Sequence, residues 1–91
     1  MESIHLEVRG RVQGVGFRWY VVDVARELRL AGWVKNRVDG NVELAAAGEA
    51  DALAKLEAAV TSGPPGARVE EVRRLGLVAA DSLQSPFGIV R

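Results

Sequence analysis

Gly14, Gly16 and Arg18 lie close together in the run V-Q-G-V-G-F-R, Val12 to Arg18, where a strand pattern gives way to a helix pattern. Glycines let several successive main-chain N–H groups converge on one small object, and the first turn of a helix adds unpaired donors with partial positive charge. Such a corner suits an anion, phosphate above all. Arg18 would add a planar, two-pronged donor matched to two phosphate oxygens. A cation at a helix start opposes the helix dipole, a conflict that a bound anion removes. The same letters would also serve a tight turn beside a solvated arginine, and spacing alone leaves both readings open. The loop lacks the GxxxxGK[ST] pattern of nucleotide-triphosphate cradles and any ribose-binding arrangement downstream, so a dinucleotide is not expected.

The usual catalytic equipment is scarce. The chain has no cysteine and a single histidine, His5, placed on the opposite strand face from Ile4, Leu6 and Val8. No Ser-His-Asp or Cys-His set can be assembled, and no metal-ligand spacing occurs. Asp39 reads as a turn residue, and Glu70-Glu71 and Arg73-Arg74 as solvated faces. Trp19 and Trp33 come without a basic stripe, and "VELAAAG" lacks the aromatics on which an RNA-recognition module stacks bases.

The elements that must position these residues follow from periodicity. Alternation from Ile4 to Arg9 predicts a half-buried strand, and Val21, Val24, Ala25 and Leu28 predict a helix from about Arg18 to Arg29. Two short β-like runs flank Asp39-Gly40, a dipeptide that favours the positive backbone angles of a tight hairpin turn. Leu53, Leu56 and Val60 predict a second helix over Gly48 to Val60, which "SGPPG" ends. A strand is expected from Val72 to Leu77, and "FGIVR" as a short closing strand. The order predicts an α+β fold, a ferredoxin-like split βαβ sandwich with two helices on one face of an antiparallel sheet of four to five strands. The 91 residues form one domain, 1–91.

Charge and composition narrow the partners. Twelve Lys and Arg balance twelve Asp and Glu, so no electrostatic footprint marks a nucleic-acid or membrane-surface binder. No basic leader and no membrane-spanning run appears, which gives the expectation of a soluble, cytoplasmic protein.

Distance brings one further side chain toward the glycine loop. About twelve helical residues carry the chain down roughly 18 Å, and four strand steps from Gly32 carry it back roughly 13 Å. Asn36 then returns near the level of the loop. It shares parity with Val34 and Val38, both expected to face the core, so its amide should point toward the helix layer. A local backbone hydrogen bond beside a hairpin would explain it equally well. One class of phosphate chemistry suits an anion cradle with no acid, nucleophile or metal. A carboxylate leaving group, whose conjugate acid has a pKa of about 4, departs unprotonated at neutral pH. The reaction then needs charge stabilisation and an aligned water.

"GRVQGVGFR" (Gly10 to Arg18) and "GWVKNRVDGNVELAAAG" (Gly32 to Gly48), continued by "PPGARVEEV" and "FGIVR", resemble the acylphosphatase family over essentially the whole chain. The resemblance implies a compact ferredoxin-like monomer that hydrolyses the carboxyl–phosphate bond of a small-molecule acyl phosphate, with no metal, cofactor or covalent intermediate. It implies that Arg18 binds phosphate and that Asn36 orients the attacking water. The family's cradle falls on Gln13, Gly14, Val15, Gly16 and Phe17, mainly on their main-chain amides. Family members often carry glycine where Arg29 stands in "LRLAGW"; a left-handed residue there would cost on the order of 1 kcal/mol. Two other readings stay open: a non-catalytic phosphate-binding module, and a detached relative of the domain that begins the hydrogenase-maturation carbamoyl transferases. The lack of a cysteine-rich zinc segment or further domain counts against the second.

Overall fold

The computed structural model describes residues 1–91. In chain order the elements are β1 (Glu2–Arg11), α1 (Phe17–Glu27), β2 (Ala31–Asn36), β3 (Val42–Gly48), α2 (Ala50–Ser62), β4 (Arg68–Arg74), a 3-10 turn (Ala80–Ser82) and β5 (Gly88–Ile89). The sheet order is β4-β1-β3-β2-β5. The first four strands pair antiparallel, as the split βαβ pattern requires, and β5 adds to β2 in parallel. The sheet is therefore mixed at one edge.

Alternation puts Ile4, Leu6 and Val8 of β1 opposite Ala46, Leu44 and Val42 of β3, all buried on one face. Val21, Val22 and Ala25 of α1 and Leu53, Leu56 and Val60 of α2 close over that face, with Val34, Leu30 and Phe87 in the same core. The Tyr20 hydroxyl donates to the Ala59 carbonyl at 2.9 Å and ties the helices together. The other face carries His5, Glu7, Lys35 and Glu43 along neighbouring strands.

Helix α1 stops earlier than its periodicity predicts. Arg29 adopts φ 59°, and the Arg29 and Leu30 amides donate to the Arg26 and Ala25 carbonyls, the paired bonds of a Schellman end. Helix α2 starts later than expected because Gly48 still pairs with Glu2 as the last residue of β3. The largest correction concerns β4, which begins at Arg68 rather than Val72 and ends at Arg74 rather than Leu77. Opposite β1, Val8 pairs with Val72 and Gly10 with Val69, so the β4 side carries one extra residue. That bulge lets Val69 and Val72, three positions apart, both pack against the core and hides the period of two.

Candidate active site

The glycine loop hangs between two buried side chains, Val12 and Phe17. Gly14 and Gly16 both adopt left-handed backbone, with φ 74° and 77°. A Cβ at either would meet nothing within 4 Å, so conformation rather than space demands glycine, and the loop faces an open surface. Residues with positive and negative φ alternate here, the pattern that turns successive N–H groups into one concavity. None of the N–H groups of Gln13, Gly14, Val15 or Gly16 donates to a main-chain or side-chain acceptor. Gly16 caps α1 with no side-chain bond, and the first turn holds no acidic residue. Its donors and dipole are unopposed by the protein. Arg18, the second residue of α1, is half-buried and makes no ion pair or side-chain hydrogen bond.

Asn36 is the last residue of β2 and pairs with Val42, on the helix-facing side of the sheet. Its Oδ1 is the one buried side-chain polar atom of the molecule without a hydrogen-bond partner. An acceptor left in that condition costs about 1–3 kcal/mol, so its persistence calls for a role. Val38, expected to face the core beside it, is instead fully exposed, because the strand ends at Asn36 and Val38 lies in the turn. That turn is closed by the Arg37 amide to the Asn41 carbonyl at 2.7 Å and the Gly40 amide to the Arg37 carbonyl at 3.2 Å. Only Gly40, at φ 97°, takes the positive angle expected for Asp39-Gly40. Asp39 serves the turn by accepting from the Asn41 amide at 3.0 Å and from Arg37 Nε at 3.1 Å. The Asn41 main-chain bond, then Arg37, hold its carboxyl below the usual carboxylate range.

The loop and the hairpin meet through Gln13. Its Nε2 donates to the carbonyls of Arg37 at 2.8 Å and Asn41 at 3.0 Å. The family resemblance gave Gln13 mainly a main-chain role, and nothing in the letters pairs residues 24 and 28 positions apart. On the outer face Glu43 sits between His5 Nε2 at 2.6 Å, Arg37 at 3.2 Å and Lys35 at 3.8 Å. Burial pushes the Glu43 carboxyl up, but the His5 bond and the charges of Lys35, His5 and Arg37 outweigh it and leave it below the ordinary range. Bonding to Asp39 and the neighbouring carboxylates raise Arg37 further above its already high value. His5 therefore belongs to this outer network, its ring also edge-on to Trp33 at 5.8 Å. The largest concavity, about 560 Å³, touches the candidate site only at Asn36 and is otherwise lined by the turn, Lys35, Glu43 and Arg91.

A model of the acylphosphatase family matches residues 4–78. The chain belongs to the acylphosphatase family. Among acylphosphatases, that of Acidiphilium cryptum is 53% identical over 72 residues, 79% of each chain. The crystal structure of the Bacillus subtilis acylphosphatase superposes with a TM-score of 0.92 at 41% identity, covering 100% of both chains. Full-length HypF in its phosphate- and nucleotide-bound form superposes at 0.81 with 26% identity, over 99% of this chain but 12% of that one. The ferredoxin-like architecture expected from the sequence is thus the acylphosphatase fold.

Proposed function

We propose that this chain hydrolyses acyl phosphates to a carboxylate and inorganic phosphate, using Arg18 and the main-chain amides of Gln13, Gly14, Val15, Gly16 and Phe17 to bind phosphate and Asn36 to orient water. The carrying observation is a loop with four undonated N–H groups, bonded through Gln13 to the turn that directly follows Asn36. The Asn36 carboxamide hydrogen-bonds the attacking water and holds it in line with phosphorus. A P–O bond forms to the water oxygen as the bond to the acyl oxygen breaks, and the carboxylate leaves with that electron pair. Both water protons end on the phosphate product. The loop donors and the Arg18 guanidinium stabilise charge on the equatorial oxygens. No acid is required, since the carboxylate departs unprotonated.

We further propose that the enzyme is a metal-independent, cofactor-free monomer of the cytoplasm that binds neither nucleic acid nor membrane. Its balanced charge gives no electrostatic footprint for nucleic acid or an anionic membrane surface. No helix is long and apolar enough to cross a membrane. No cluster of three or more His, Cys, Asp or Glu side chains is arranged to hold a metal.

Hydrolysis of benzoyl phosphate by the purified protein in excess chelator and ¹⁸O-water tests the reading. The expected result is undiminished turnover with the label in inorganic phosphate and none in benzoate. Tight phosphate binding with no turnover would replace the enzyme by a binding module. Label in benzoate would place the attack at carbon and refute the assignment of Asn36.

A further inference from the structure

We propose that the Gln13 side chain is a positioning residue that sets Asn36 against the phosphate loop. The proposal rests on the roles given above to Arg18 and Asn36. Both N–H groups of the Gln13 carboxamide are used, one on the Arg37 carbonyl at 2.8 Å and one on the Asn41 carbonyl at 3.0 Å. Each carbonyl has a second donor from within the turn, Gly40 N–H on Arg37 and Arg37 N–H on Asn41, so both lone pairs of both oxygens are taken. No other hydrogen bond joins residues Gln13 to Arg18 with residues Asn36 to Asn41. Asn36 is covalently next to Arg37, and its own Oδ1 has no partner that would fix it.

The turn is braced from its other side by Asn41 Nδ2 donating to Glu7 Oε2 at 2.8 Å. Gln13 supplies the opposing hold, and only its length and its paired donors fit. Asparagine is one methylene too short, and glutamate would set a carboxylate against two carbonyl oxygens. The consequence is geometric: the cradle's main chain and the carboxamide of Asn36 are indexed to each other through one side chain whose own main chain belongs to the cradle.

The test is a double-mutant cycle on benzoyl phosphate hydrolysis with Gln13→Met, which keeps length and removes the donors, and Asn36→Ala. A misplaced reacting group costs up to about 100-fold, so Q13M should lower kcat by roughly 10- to 100-fold. The inhibition constant of inorganic phosphate should stay within about twofold, because the cradle's own donors remain. In the N36A background Q13M should cause no further loss, since the group it positions is gone. If Q13M fails to fold, as read from its melting curve, Gln13→Ala takes its place in the cycle. Wild-type kcat in Q13M, an equal loss in both backgrounds, or a loss confined to phosphate binding would overturn the proposal. N36A with wild-type turnover would overturn the reading beneath it, whereas an inactive N36A beside a fully active Q13M would sink this inference alone.

Discussion

Two residues hold conformations or environments that their own chemistry disfavours, and they mean different things. Asn36, the side chain proposed to orient water, keeps a buried acceptor unpaired. Arg29 holds φ 59° at the end of α1, the only non-glycine residue with positive φ, and nothing in the candidate site touches it. Its strain belongs to stability. Arg29→Gly should therefore raise stability by about 1 kcal/mol, which for a domain of this size lifts the melting temperature by roughly 4–8 °C. Thermal melts followed by circular dichroism, with benzoyl phosphate turnover alongside, check it. A lowered melting temperature would show that Arg29 contributes contacts worth more than its strain.

At the scale of elements, the proposed site is made by one loop and one hairpin, and they differ in how far the letters reveal them. The left-handed turn at Gly14 and Gly16 was legible, because glycine has few uses at a strand-to-helix corner, whereas spacing left the role proposed for Arg18 open and only the family resemblance selected it. Asn36 was legible through strand length and parity, which place it on the helix-facing side. Val38 misled, since parity holds only while the strand continues and the strand ends at Asn36. Two features had no local signal. The bulge in β4 puts Val69 and Val72 on one face at a spacing that matches neither strand nor helix. The Gln13 bridge joins side chain to carbonyl across two elements, and single-sequence periodicity carries no information about such contacts.

At the scale of the molecule, the sheet separates two jobs. Its helix face holds the hydrophobic core, and its outer face carries a charge network, from His5 through Glu43 and Arg37 to Glu7, that stiffens the hairpin from behind. That network makes stability depend on pH. The folded-state pKa of Glu43 and of Asp39 lies below the unfolded value, so the unfolded chain binds more protons as pH falls. The stabilisation they give is fully present above the ordinary carboxylate range of about 4 and is lost as pH drops through the depressed folded values. Glu43→Gln should lower the melting temperature at pH 7, and its gap from wild type should close as the pH is taken down to about 3. A gap that stays constant across that range would mean the Glu43 charge contributes nothing.

The account as a whole stands on a division of labour, with phosphate held by the loop and Arg18 and water held by Asn36. Steady-state hydrolysis of benzoyl phosphate by Asn36→Ala and Arg18→Ala, with the inhibition constant of inorganic phosphate measured on each, tests it most directly. The predicted result is that N36A loses about 100-fold or more in kcat while binding phosphate like wild type, and that R18A loses both turnover and phosphate affinity. Wild-type kcat in N36A, or unchanged phosphate affinity in R18A, would contradict it.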